Sequence, residues 1–332
     1  MNALDPRTVG LVGGVLGLLA IASLVAHVLG RRTDTGLDPA MIDVFRRRVR
    51  AWVILFAALA GAFMIHHAAT IVLFGLLSFW ALREFITLTP TRPGDHRTLF
   101  WVFVLCTPLQ FLLVGFNRYQ LFSVLIPVYA FLLIPMGIAL SGDYKRFLER
   151  VAKIQAGLLI CVYCLSHAPA LLNLPLPHPD PYGPTRLLFW FVLIVQLSDA
   201  LQYLWSLIPS RHVIVPSINP TRTWEGLLGG TASVTLLGAA LWWATPFQGV
   251  HWWMAAAMSA VISLMGFAGG ITMSAIKRDR GVKDYGTLVE GHGGVLDRID
   301  SICFAAPVFF HFTRFWLILT YPKLFPGIMP GT

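Results

Sequence analysis

The chain of 332 residues is 56% hydrophobic and only 12% charged, with a mean hydropathy of +0.70. Soluble domains carry about 25% charged residues, so this chain has too little charge to cover a water-facing surface, and its apolar content excludes a disordered chain. The formal charge of +9 is then a question of sidedness in a membrane rather than of nucleic-acid binding, and nucleic acid is not an expected partner.

A run of about 18 or more apolar residues suffices for a membrane-spanning helix. Ten such segments are predicted, at 9–30, 51–65, 68–88, 98–116, 119–140, 151–172, 185–208, 224–245, 250–276 and 301–321. The fold class is therefore all-α: a polytopic integral membrane protein of about ten transmembrane helices, or nine if 51–82 is one long tilted helix. The split is placed at His66-His67 because paired imidazoles sit better at an interface than in lipid. The first segment lacks a basic flank and an Ala-x-Ala-like cleavage site, so it is read as a retained helix. Its Gly10, Gly13, Gly14 and Gly17 have the spacing of close helix packing, as do Gly226/Gly230 and Gly266/Gly270.

The distribution of Lys and Arg tests the span count. Loops after odd-numbered segments, with their margins, hold 20 of the 25 basic residues, among them Arg31, Arg46, Arg92, Arg150, Arg211 and Lys277. Arg7, Arg118, Arg186, Arg314 and Lys323 fall elsewhere. The positive-inside rule puts the basic loops in the cytoplasm and both termini outside. Cys106, Cys161, Cys164 and Cys303 all lie inside predicted spans. Without a second Cys pair or a neighbouring His cluster, they read as small apolar residues.

Charge inside a membrane is costly, so its location is informative. No charged residue occurs from Gly226 to Ile276, and then residues 277–300 carry five basic and five acidic side chains. A solvated loop with a positive-inside bias explains the cations but not the interleaved acids, five glycines and carboxylates leading into an apolar span. Physically the loop holds the parts of a metal-phosphate site. Lys277, Arg278, Lys283 and Arg298 can neutralise phosphates. Gly286, Gly291, Gly293 and Gly294 let backbone N–H groups approach anionic oxygens. Asp284, Asp297 and Asp300 offer hard oxygen ligands suited to Mg²⁺. A helix starting near Leu296 would put Asp297 and Asp300 on one face of its N-terminus, where a divalent cation relieves their repulsion.

Two further features stand apart. The run Asn219-Pro220-Thr221-Arg222-Thr223-Trp224-Glu225-Gly226 precedes the eighth span. It reads either as a helix cap, with Asn219 or Thr221 capping and Glu225 in the first turn, or as part of a site. Asp199 is the only acid deep in a predicted span, and is either a functional carboxylate or a hydrogen-bonded structural one.

The segment from Ser274 to Asp300 resembles the signature of the phosphatidate cytidylyltransferases, or CDP-diacylglycerol synthases: Ser-x-x-Lys-Arg, four residues, Lys-Asp-x-Gly, then His-Gly-Gly-x-x-Asp-Arg-x-Asp. The Pro220 to Gly226 run is similar to that family's Pro-Lys-Lys-Thr-Trp-Glu-Gly, with Thr221 and Arg222 in place of the lysines. Ser198-Asp199 resembles its intramembrane Asp motif, although Gln202 stands where a small residue is frequent. Trp80 to Leu88 resembles a Trp-Glu-Phe-like segment. The likeness begins near residue 46, so it implies an extra N-terminal transmembrane helix and basic linker at 1–45, and a multi-span cytidylyltransferase domain at 46–332.

What the resemblance implies is a Mg²⁺-dependent transfer of CMP from CTP to phosphatidic acid, giving CDP-diacylglycerol and pyrophosphate. The expected setting is a bacterial cytoplasmic membrane, with the site on its cytoplasmic side. Asp284, Asp297, Asp300 and, from a facing span, Asp199 are the expected metal ligands, with room for a second cation. Lys277, Arg278, Lys283 and Arg298 are the expected phosphate contacts, while Gly293 and Gly294 bring backbone N–H groups close. Thr223, Trp224 and Glu225 are expected to position CTP or the lipid headgroup. His292 either donates to a phosphate oxygen or orders the glycine turn. A homodimer is compatible with the resemblance. The alternatives are a polytopic transporter, which would call for polar residues along several spans, and a related CTP-dependent lipid kinase or a cytidylyltransferase with another acceptor.

Overall fold

A computed structural model describes residues 6–29, 39–177, 182–208, 212–245, 247, 251–286 and 293–325. Among these residues ten long helical segments follow one another: α1 (Pro6–Leu29), α2 (Pro39–Ile65), α3 (His67–Leu88), α4 (Pro93–Gly115), α5 (Tyr119–Ala139), α6 (Phe147–Asn173), α7 (Gly183–Trp205), α8 (Trp224–Ala240), α9 (Trp252–Asp279) and α10 (Leu296–Thr320). A short hairpin, β1 (Val213–Val215) and β2 (Asn219–Thr223), precedes α8. Seven of the helices (α3 to α7, α9 and α10) are long and apolar enough to cross a membrane. The chain is thus an all-α, multi-pass membrane protein. Helix α8 has 17 residues, short of the roughly 20 that span a bilayer.

The break expected at the paired histidines lies between α2 and α3. The His66 Nδ1 accepts a hydrogen bond from the Ala68 N–H at 3.1 Å, satisfying a donor at the start of α3. In α4 and α5 a turn of wider π geometry (Val102–Cys106 and Leu125–Ala130) lies at a proline, Pro108 and Pro127. There the missing N–H removes a helical hydrogen bond.

The chain divides into two compact units, residues 1–73 and 74–332. In the first, α1 packs along α2, with Leu11, Leu19, Phe56 and Leu59 buried. In the second, α7 packs on α8 and α9, α8 on α9, and α9 on α10. Helix α7 is the centre of this bundle. Leu187, Leu188, Phe189, Trp190, Phe191, Val192 and Ile194 are all fully or almost fully enclosed, so every face of this stretch meets protein rather than lipid. The Phe191 ring stacks on Phe309 of α10 at 5.1 Å. Glycines of α8 and α9 allow close approach, whereas Gly10, Gly13, Gly14 and Gly17 of α1, expected to pack in the same way, leave nothing within 4 Å of an added methyl group. A methyl group on Gly230 would come within 2.7 Å of the Gln202 backbone, and one on Gly269 within 2.9 Å of Phe304. The acid further along the same helix as Phe191, Asp199, is only half-buried, beyond this enclosed stretch.

A buried ion pair ties the start of α4 to the start of α6. Arg150, 4% exposed, donates from Nε to both oxygens of Asp95 at 2.9 and 3.1 Å, and from Nη1 to the carbonyls of Asp143 and Lys145 at 2.7 and 2.9 Å. Arg92 closes the cluster on Asp143 at 2.6 Å. Burial acts against the charge of Asp143, but the Lys145 N–H and the Arg92 and Arg150 guanidiniums outweigh it and hold the carboxyl below its ordinary value. Two of the basic residues that mark sidedness in the sequence thus also hold loops together.

Candidate active site

The site is assembled where α9 ends and α10 begins. Helix α9 stops at Gly281, whose φ of +70° is a left-handed conformation that favours glycine. The Val282 N–H then bonds back to the Lys277 carbonyl at 3.0 Å. Tyr285 anchors the following segment. It is 2% exposed, its hydroxyl donates to the Met273 carbonyl at 3.0 Å, and its ring faces Phe85 of α3. Burial, reinforced by nearby acidic groups that include Asp297 and Asp300, pushes the phenol well above its ordinary pKa, so it stays protonated and keeps that bond.

Asp297, one residue into α10, gathers three elements. Its Oδ1 accepts from Lys277 Nζ at 2.7 Å, and its Oδ2 accepts from the N–H groups of Tyr285 at 2.8 Å and Gly294 at 2.9 Å. Gly293, with φ of +75°, makes the turn. A methyl group there would lie 3.0 Å from Asp297 Oδ2 and 3.5 Å from Asp284 Oδ1, so the two carboxylates flank this glycine. Asp284 is exposed and has no hydrogen-bond or ion-pair partner among the described residues.

The start of α10 is held by a residue more than two hundred positions away. Glu84 of α3 is 5% exposed, and its carboxylate accepts from Val295 N–H at 2.9 Å and Leu296 N–H at 2.8 Å. These are unpaired donors of a helix N-terminus, where a negative charge is favoured. Gly286 and Gly294 lie directly against the same carboxylate. A methyl group on Gly286 would sit 2.9 Å from Glu84 Oε1, and one on Gly294 would overlap the carboxylate. The anionic oxygens that these two glycines admit are thus Glu84's own.

A second charged group lies on the α7 side. Arg222, at the end of the hairpin, donates from Nη1 to Gln202 Oε1 at 2.7 Å and reaches Asp199 Oδ1 with Nη2 at 3.5 Å. Its guanidinium lies 5.5 Å from the Phe267 ring centre, and Gly270 makes room for it. Gln202 is itself held by Ser198 and Ser263, whose hydroxyls lie 3.0 and 3.1 Å from its Nε2. Asp300, early in α10, lies in electrostatic reach of Asp199, Lys277 and Arg222. Its own hydrogen bond comes from Ser301 N–H at 2.7 Å.

The remaining expected residues are placed as follows. Arg278 turns to the Ile218 and Val282 carbonyls at 3.2 and 3.4 Å. Lys283 is exposed, and Arg298 is half-buried on the first turn of α10. Thr223, rather than Asn219 or Thr221, caps α8, accepting from the Gly226 N–H at 3.0 Å, while Asn219 accepts from Thr221 within the hairpin. Glu225 accepts from the His212 N–H at 3.0 Å and lies 2.6 Å from its ring Nδ1, tying hairpin to helix. Trp224 is 50% exposed. Glu290, Gly291 and His292 lie outside the described residues. Sequence reasoning missed three members: Glu84, Gln202 and Arg222. The signals were present, in the Trp80 to Leu88 segment and in the two positions where the sequence departs from the pattern it resembles.

Among the described residues no three His, Cys, Asp or Glu side chains converge as a ready metal cage. Mg²⁺ does not require one, since it is held by one or two carboxylates together with substrate phosphates and retained waters. Asp199 and Asp300, in electrostatic reach of each other, are carboxylates that could serve in this way, with Asp284 exposed at the loop. Asp297 has both oxygens engaged by Lys277 and two backbone N–H groups.

Fold and site together describe a multi-pass membrane protein whose charged groups meet at one end of a helical bundle. The family it falls in follows from its relatives. The model of the cytidylyltransferase family matches residues 46–316, and the chain belongs to that family. It is 39% identical over 271 residues to the uncharacterized protein YnbB of Escherichia coli, covering 81% of this chain and 87% of that one. It is 36% identical over 116 residues to the phosphatidate cytidylyltransferase of Staphylococcus aureus, covering 35% of this chain and 44% of that enzyme. The Staphylococcus epidermidis phosphatidate cytidylyltransferase is 36% identical over 128 residues, covering 38% and 48%. The chain thus matches less than half the length of these named enzymes.

Proposed function

We propose that this protein transfers CMP from CTP to phosphatidic acid, forming CDP-diacylglycerol and releasing pyrophosphate, at the cytoplasmic face of the membrane. The observation that carries the reading is the pairing of Arg222 with Asp199 on the α7 side and of Lys277 with Asp297 at the start of α10, with Asp300 in electrostatic reach of both groups. A phosphate monoester has a second pKa of about 6, so the lipid phosphate is largely ionised near neutrality and needs no strong general base. One of its oxygens attacks the α-phosphorus of CTP, and the bond to the pyrophosphate oxygen breaks. The task of the protein is to bring anions together in line. Lys277 and Arg222 lower the repulsion between them, and Lys283 and Arg298 extend the positive lining at the loop. Asp300 and Asp199, with Asp284 at the rim, would hold Mg²⁺. Mg²⁺ in such a place neutralises phosphate charge and stabilises the leaving pyrophosphate. Asp297 and Glu84 hold the loop and the α10 N-terminus in position.

The test is purified protein in detergent with phosphatidic acid and labelled CTP, with and without EDTA. The expected result is a metal-dependent CDP-lipid, identified by mass, and loss of turnover in Asp300→Ala with the protein still membrane-inserted. A product that carries a single added phosphate, with CDP released, would make the protein a lipid kinase. Absence of any lipid product would overturn the reading.

A further inference from the structure

At the other end of α10 lies a cavity that the proposed reaction does not use. It measures about 360 Å³ and is lined by Asn117 and Tyr119 at the start of α5, Asn173 at the end of α6, and Phe310, Arg314 and Phe325. That volume is at the small end of ligand pockets, which run from about 300 to 1,000 Å³. Arg314 follows Asp297 by 17 positions on one helix, which at about 1.5 Å per residue places it roughly 25 Å away along the axis. The cavity therefore opens toward the opposite membrane surface from the α9–α10 turn.

Arg314 is the only cation that lines it, and among the described residues no carboxylate pairs with it. Instead its guanidinium lies 3.8 Å from the Tyr119 ring centre and 5.6 Å from that of Phe325. The rings hold the planar group in place without neutralising it, because cation–π contact leaves the N–H donors at its edge available. Asn117 brings an amide group to the same wall, while the Asn173 amide there donates to the Val114 carbonyl at 2.6 Å. The cavity also sits at a helix end rich in aromatic residues, where Trp316 and Tyr321 pack edge to face at 5.8 Å. Such belts mark the headgroup level of a bilayer. An uncompensated guanidinium at that depth, held flat by aromatic rings, is suited to a phosphate oxygen pair.

We infer that this cavity binds a phosphate group at the membrane surface opposite the proposed active site, with Arg314 as its anchor. The group comes from the headgroup of an anionic phospholipid or from dissolved phosphate. The inference stands whether or not the chain makes CDP-diacylglycerol.

The experiment uses the full chain, delipidated and returned to nanodiscs of phosphatidylcholine with or without phosphatidylglycerol. Retained lipid is counted by intact-complex mass spectrometry. Phosphatidylglycerol should be retained, and Arg314→Ala should weaken retention about tenfold, the scale of a lost charge-assisted hydrogen bond, while CTP-dependent turnover is unchanged. Competition by inorganic phosphate assigns the site to free phosphate; its absence assigns it to the headgroup. In case Arg314→Ala fails to fold, the unaltered protein is labelled with phosphatidylglycerol carrying a photoreactive group near its phosphate. Cross-links should map to residues 117–122 and 310–325. Equal retention by both proteins, or cross-links that avoid both segments, would overturn the inference.

Discussion

The contact between Gln202 and Arg222 makes the sharpest prediction. Arg222 Nη1 to Gln202 Oε1 is a short charge-assisted bond of 2.7 Å, whereas the reach to Asp199 is 3.5 Å, so Gln202 sets where the fork points. The Arg222 and Asp199 side chains are 20% and 30% exposed, which limits what water can substitute. Replacing Gln202 with Leu keeps the volume and removes the acceptor. A hydrogen bond to a charged group contributes about 1.5–3 kcal/mol, and if the fork contacts substrate phosphate, kcat/KM should fall about 10- to 150-fold at roughly 1.4 kcal/mol per tenfold. Arg222→Lys removes the fork but keeps the charge, and alone should cost a similar factor. The double variant should then lose little more than either single one, with a coupling energy of about 1–2 kcal/mol, because both changes remove the same bond. The assay is labelled CDP-lipid formation over a range of CTP and lipid concentrations. Losses that add to within about 0.5 kcal/mol would refute the idea that Gln202 acts through Arg222.

Other predictions concern the scaffold. Glu84→Ala removes two charge-assisted bonds at the α10 N-terminus and should cost about 3 kcal/mol in detergent unfolding; Glu84→Gln, which keeps an acceptor oxygen, should lose clearly less. Equal unfolding of both variants and wild type would remove the capping role. Gly294→Ala forces a methyl group into the Glu84 carboxylate and should abolish turnover without loss of membrane insertion; Gly10→Ala, which meets open space, should change nothing. Arg150→Met leaves Asp95 buried without its partner and should destabilise by about 3–5 kcal/mol. Arg150→Met with Asp95→Leu should recover most of that in the same thermal scan.

Much of this was legible along the chain because it is local. Long apolar runs specify helices by bilayer thickness, and each of the ten expected segments coincides with a helical one, seven with the length and apolarity to span. The break at His66 was legible from the chemistry of an imidazole in lipid. The crowding of residues 277–300 with both signs of charge pointed to the α9–α10 turn. What was not legible depends on distant pairing. Nothing local to Gly294 says that it lies on Glu84, and no period in the sequence joins Gln202 to Arg222. The hairpin at Val213–Thr223 was hidden because its apolar run, Val213-Ile214-Val215, is too short to show a period. There the cap role fell to Thr223 because the strand runs on past Asn219 and Thr221 before the helix starts.

The four acids around the turn separate by what already balances them, and that separation is testable. Asp297 has Lys277 and two N–H groups, Glu84 has two helix N–H groups, and Asp199 has Arg222 at 3.5 Å. Asp300 has the N–H and, at 3.5 Å, the hydroxyl of its neighbour Ser301, and it lies in electrostatic reach of Asp199 as well as of Lys277 and Arg222. Apart from Asp284, which is exposed at the rim and has no partner among the described residues, Asp300 has the fewest direct partners from other elements, and it is where an added cation is most strongly favoured. Asp300→Asn should cut turnover about 100-fold or more, as expected for loss of a metal-site group, and raise the Mg²⁺ concentration needed for half activity, with the thermal midpoint unchanged or higher. Asp297→Asn should lower both activity and thermal midpoint without changing that Mg²⁺ requirement, because it loosens the Lys277 and Tyr285 anchors. Measured side by side, a fall in thermal midpoint for Asp300→Asn, or a shifted Mg²⁺ requirement for Asp297→Asn alone, would reverse the two roles.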